Sequence, residues 1–193
     1  MEERLEIDEK FEILIKDALA HGTCVSNIAC AIARELGMDD DFCEELAVAG
    51  MIHDIGKIRL TANIYNSDED TLNVEKMKYV RMHSKLSYDI AKEKEFSDFV
   101  QECVLYHHEN FDGSGYPENL SGNTIPLSAR IIRVSDVFVA LISDRTYRKA
   151  FPVETAIELM IDEVKNFDME IFLAFQRVIN GNDINNLIQT KWG

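Results

Sequence analysis

The chain has 193 residues, long enough for one sizeable core, and its 46% hydrophobic and 28% charged side chains are the composition of an ordinary folded protein. A formal net charge of −15, from 20 basic and 35 acidic residues, argues against general binding to nucleic acid or to anionic membranes, where a basic face carries the electrostatics. No apolar run approaches the roughly 18 residues of a membrane span, and the opening MEERLEIDEK is too charged for a secretory signal.

Along the chain the apolar spacing is helical nearly throughout, and an all-α single domain over 1–193 is expected. A helix near 8–20 continues or restarts through 22–36, with Val25, Ile28, Ile32 and Leu36 on one face. The next, near 41–53, opens with the capping-box spacing Asp41…Glu44. Asn73 caps a helix to about 92, whose apolar face is Met77, Val80, Leu86 and Ile90. Another runs from Ser97 to His108. Pro126 and Pro152 open helices near 126–143 and 153–165, where a first turn tolerates proline. Segments 168–180 and 183–190 close the chain. Two long loops remain, 56–72 and 109–125, and loops of that length in a compact domain are often functional. Four cysteines (Cys24, Cys30, Cys43, Cys103) form no CxxC pair, which fits reduced thiols in a cytoplasmic protein.

All five histidines fall at points where chemistry can be assembled. His21, His53 with Asp54, His83, and His107 with His108 come from separate helices, and Asp136 comes from the largely apolar ARIIRVSD, where an unpaired carboxylate is costly. Imidazole and carboxylate donors suit Fe, Mn or Zn, and an aspartate beside a histidine can bridge two ions while the ring binds one of them. The distribution is that of a polynuclear metal site between packed helices.

His21, HDIGK at 53–57, His83, HHENFDGSGYP at 107–117 and SD at 135–136 together resemble the HD-GYP family of HD-domain metal-dependent phosphohydrolases, over roughly residues 21 to 150. The resemblance implies an HD-domain helical bundle with a di- or trinuclear centre of divalent transition-metal ions, Fe or Mn, and hydrolysis of cyclic di-GMP to pGpG or onward to GMP. It assigns His21, His53, Asp54, His83, His107, His108 and Asp136 as metal ligands, with Asp54 bridging. Lys57 is placed beside the scissile phosphate, and Arg145 and Arg148 on phosphate or guanine of the dinucleotide. Gly115 and Tyr116 belong to the substrate-facing loop. Gly113 and Gly115 let backbone approach the site, and the loop is also a contact surface for a signalling partner. Asp17, four residues before His21, shares its helix face; some members of the family carry a glutamate there as ligand to a third metal, and Asp17 is the expected counterpart.

The chain departs from the family at Val139, where a second aspartate is expected, at Thr146, where proline is usual, and at Ser87, where glycine is usual. These leave the ligand set whole and bear on substrate positioning. Hydrolysis of 3′3′-cGAMP or another nucleotide phosphoester, and a catalytically weak signalling module, are the alternatives.

Overall fold

In the computed structural model, residues 2–64, 73–144, 148–181 and 184–188 are described, and every regular element among them is helical. The order is α1 Glu2–Glu35, α2 Asp40–Ile52, α3 Ile55–Ile64, α4 Asn73–Glu93, α5 Asp98–Tyr106, α6 Leu127–Ile142, α7 Val153–Asp162, α8 Met169–Gly181 and α9 Ile184–Ile188. Single 3₁₀ turns sit at Gly122–Thr124 and Val164–Asn166. The expected all-α architecture is what forms.

α1 is the axis of the bundle and packs on α2, α6, α8 and α9. Val25, Ile28 and Ile32 of α1 meet Leu46 of α2, Val104 of α5, Ile131 and Phe138 of α6, and Phe172 and Phe175 of α8, all buried. Each such side chain contributes about 1.5–3 kcal/mol relative to exposure. Phe138 and Phe175 meet edge to face at 5.0 Å, tying α6 to α8. Among the described residues, no helix is long and apolar enough to cross a membrane.

Several boundaries differ from the sequence expectation. Of the two readings left open for residues 8–36, continuation holds: Gly22 lies inside α1 and serves a close crossing. A Cβ there would lie 2.5 Å from the Met51 carbonyl oxygen of α2. α2 starts earlier than expected and is capped by Asp39, whose carboxylate accepts from Phe42 N at 2.9 Å; Asp41 is a first-turn charge instead. α7 ends at Asp162, and a 3₁₀ turn replaces its expected last turn. On α4 the fully buried stripe is His83, Ser84, Ser87 and Ala91, while Leu86 and Ile90 are only partly buried. The side chains of Asn73, Met77 and Val80 lie outside the described residues, as do Arg145 and Thr146.

The largest correction is α3, which occupies the first half of the expected 56–72 loop. It follows α2 almost directly, so Asp54 stands at the junction and Lys57 in the first turn of α3. Gly56 allows α3 to touch α4, since a Cβ would lie 2.2 Å from the His83 carbonyl oxygen. Gly56 N donates to Ser87 Oγ at 2.9 Å, so Ser87 supplies from α4 a cap that α3's own sequence lacks. Gly56→Ala is therefore expected to lower the melting temperature by about 3–10 °C through overpacking; thermal denaturation with an unchanged midpoint would contradict the α3–α4 contact.

Candidate metal centre

Two of the histidines are fixed by the same local device. His53 ends α2 and His107 ends α5, and each Nδ1 bonds back to a carbonyl of the last turn, Gly50 O at 2.8 Å and Val104 O at 2.7 Å. A proton on Nδ1 donated to a carbonyl makes Nε2 the atom that faces a metal, the arrangement that orients a metal-binding imidazole.

The junction carboxylate of Asp54 lies between two sets of donors. On one side are His83, His107 and His108; on the other, His21, His53 and Asp136. Within each set, Asp54 included, the donor atoms all lie within 4.8 Å of one another. Asp54 Oδ1 faces His83 Nε2 at 3.1 Å and His107 Nε2 at 3.8 Å, while Oδ2 is 3.4 Å from His53 Nε2 and 3.9 Å from His21 Nε2. His83 Nε2 in turn sits 3.2 Å from His107 Nε2 and 2.9 Å from His108 Nε2. His21 Nε2 is 3.0 Å from Asp136 Oδ1. Lone-pair atoms converge here more closely than protons alone can satisfy. His53 Nε2, Asp54 Oδ1 and His21 Nδ1 are buried with no hydrogen-bond partner. A buried orphan costs about 1–3 kcal/mol, and a cation would satisfy two of these atoms at once. The donor set fits divalent metal ions.

The titration behaviour has the same origin. Burial pushes His53 down, but the carboxylates of Asp54 and Asp136 outweigh it and hold its pKa at about 10. Burial pushes Asp54 up, yet His53, Lys57 and His83 hold it well below the usual carboxylate range; Asp136 is held down likewise by His21 and His53 against burial. On the other side, burial and neighbouring imidazoles push His107 down, and burial brings His108 to about 3. Those two rings are neutral at pH 7 and ready to bind metal.

The chain matches the HD-domain family over residues 5–171. This chain belongs to the HD-domain family. Its HD-GYP resemblance is borne out by its relatives: a cyclic di-GMP phosphodiesterase of Pseudomonas aeruginosa is 32% identical over 174 residues, 90% of this chain and 42% of that protein. A 3′3′-cGAMP-specific phosphodiesterase of Vibrio cholerae is 32% identical over 154 residues, 79% of this chain and 36% of that protein. The chain thus spans about two fifths of the length of these curated relatives. Among solved structures, the HDG"Y"P protein Bd1817 of Bdellovibrio bacteriovorus shares the fold, with a TM-score of 0.69 and 22% identity over 85% of this chain and 53% of that one.

Within this HD domain, the seven expected shared ligands come together, whereas Asp17 is exposed on α1 and belongs to neither donor set. Lys57 Nζ reaches Asp54 Oδ2 at 2.6 Å. Tyr116 stacks on the His108 ring at 4.8 Å, and the Arg81 guanidinium lies 5.5 Å from the Tyr116 ring centroid. Gly115 passes under the HHE segment so closely that a Cβ would be 2.2 Å from Asn110 N, and Gly113 takes a φ of +83°. Arg148 is elsewhere engaged: its guanidinium donates to Ala140 O, Leu141 O and Lys149 O and covers the Phe151 ring, closing the C-terminus of α6. Val139, at the position of the expected second aspartate, is buried in the apolar core.

Sequence reasoning did not single out Glu109, which is 1% exposed and accepts from Glu118 N at 2.7 Å, pinning the glycine loop against the histidine pair. Its place directly after His108 was the available signal.

Because His53 is raised to about 10, it is protonated at neutral pH without metal, and its contribution to stability is present below 6.5 and lost as pH rises toward 10. Metal uptake must displace that proton. Isothermal titration of metal-free protein at pH 7.5, in buffers of different ionisation enthalpy, should show release of about one proton on metal binding, and affinity should rise with pH. Uptake without proton release would contradict this charge balance.

Proposed function

We propose that this HD domain is a metal-dependent phosphodiesterase that hydrolyses cyclic di-GMP to pGpG, and onward to GMP. The observation that carries the reading is the pair of four-residue donor sets sharing Asp54, in a chain similar to proteins named cyclic di-GMP phosphodiesterases. His21, His53 and Asp136 would hold one ion, His83, His107 and His108 the other, and Asp54 both, with Fe or Mn as the metal and the cytoplasm as the setting. Such a pair of ions neutralises a phosphodiester and lowers the pKa of an attacking water.

The chain's own residues do the rest. Asp54, common to both donor sets, sets the spacing of the two halves, and the carbonyl-anchored rings of His53 and His107 hold their orientation without reorganisation. Lys57, in the first turn of α3, brings an ammonium to the same carboxylate and is placed to stabilise charge growing on the phosphate oxygens as the P–O3′ bond breaks. Water's oxygen ends on phosphorus and a proton on the departing 3′ oxygen. Tyr116, backed by His108, and the close-lying Gly115 shape the substrate side. Arg148 could reach substrate only by leaving the α6 carbonyls, so Arg145 is the better candidate of that pair. The exposed Asp112, Ser114 and Glu118 of the loop offer a face to a signalling partner.

A third ion would require Asp17, one turn before His21. Asp17→Ala tests it directly: loss of about one metal per chain supports a third site, and unchanged stoichiometry leaves two.

Product chromatography of metal-loaded protein with a panel of cyclic dinucleotides is the test of the whole reading. Cyclic di-GMP should give pGpG, then GMP; preference for 3′3′-cGAMP would move the substrate to that of the Vibrio cholerae relative, and no turnover of any dinucleotide would overturn the proposal. Lys57→Ala should lower kcat about 100-fold with a smaller change in KM, read by steady-state kinetics; a change confined to KM would make it a binding residue only.

A further inference from the structure

A cyclic dinucleotide carries two phosphates, and a pair of ions around Asp54 can take only one of them. The protein is strongly acidic, so the second phosphate needs local positive charge. Of the two arginines that the family resemblance supplies, Arg148 is spent on main-chain carbonyls.

Arg133 meets the need. It stands on α6 one turn before the metal ligand Asp136 and is half-buried. Its Nε donates to Asn110 Oδ1 at 3.0 Å, two residues beyond His108, so the guanidinium is aimed at the histidine loop rather than at solvent. Asn110 is itself held, since its Nδ2 donates to Ser114 Oγ at 2.9 Å. Arg133 forms no ion pair with a carboxylate among the described residues, and Nε is the only one of its donors with a hydrogen bond among them. Its charge acts on Tyr116, on His108 and on Asp136, with Glu163 a weaker influence. A half-buried guanidinium with its fork unspent, beside a metal centre, is a good receptor for a phosphate. Arg81 brings a second guanidinium to the same aromatic ring, 5.5 Å from the Tyr116 centroid.

We propose that Arg133, oriented by Asn110 and seconded by Arg81 across Tyr116, binds the non-scissile phosphate of the dinucleotide. The assignment rests on the cyclic-dinucleotide reading above. It makes Arg133 a specificity residue: it favours esters with a second phosphate over those with one.

The test compares wild type with Arg133→Ala and Arg133→Lys, matched for metal content and melting temperature. The probes are cyclic di-GMP and 3′3′-cGAMP, with two phosphates, and bis(p-nitrophenyl) phosphate, with one. In Arg133→Ala the kcat/KM preference for cyclic dinucleotide over the simple ester should fall by about 10–100-fold, mostly through KM, the range expected for losing a charge-assisted contact. Arg133→Lys keeps the charge but not the planar fork, and should lose about 3–10-fold; it carries the test if Arg133→Ala does not fold. An unchanged preference in both variants, or equal losses on all substrates, overturns the role of Arg133 while leaving the phosphodiesterase reading intact. A wild type that cleaves only the one-phosphate ester overturns the dinucleotide reading, and this assignment with it.

Discussion

A carboxylate buried among imidazoles must be balanced by positive charge, and the demand falls on Asp54 from two directions. Leaving a carboxylate buried and unpaired costs several kcal/mol, yet Asp54 and Asp136 are both held ionised. In the metal-free protein the compensation comes from a protonated His53 and from Lys57, 2.6 Å from Asp54. These cations occupy the electrostatic role that divalent ions would fill. The packing is subordinate to that junction. α2 and α5 end where their terminal histidines must present Nε2, α3 begins directly after Asp54, and glycines at 22 and 56 remove the side chains that would hold α1 and α4 away.

The two halves of the centre are unequal in charge. On one side burial keeps His107 and His108 neutral, whereas on the other Asp136 is ionised and His53 carries a proton. A metal bound on the first side displaces little, and one bound on the second side must displace a proton. The same asymmetry gives the centre a direction. In the proposed reading, Tyr116, stacked on His108, would mark its substrate side, with Arg81 of α4 and Arg133 of α6 supplying positive charge in a protein of net charge −15. Local cations, rather than net charge, would admit the anionic substrate proposed here.

Much of this was legible before any coordinates. The ligand residues stood out because no histidine was left for incidental duty, and because a carboxylate in the apolar ARIIRVSD needs a partner. Periodicity located most helices, since their buried faces repeat as expected. It failed where small residues did the positioning. Gly22 left continuation or restart of the first helix open and is a crossing point, and the segment from Gly56 read as a loop although Ser87 of another helix caps α3. The roles of Ser87, Glu109 and Asn110 depend on backbone groups distant in sequence, which no local pattern encodes. Arg148 was assigned by motif, and the α6 carbonyls that engage it became visible only in three dimensions.

The central claim is that one carboxylate joins two metal sites. Anomalous diffraction from crystals of manganese- or iron-loaded protein measures this directly. The account predicts two strong peaks per chain, one in contact with His83, His107 and His108, the other with His21, His53 and Asp136, each also bound to a different oxygen of Asp54. A single peak, or two peaks with Asp54 bound to neither or to only one of them, would contradict it.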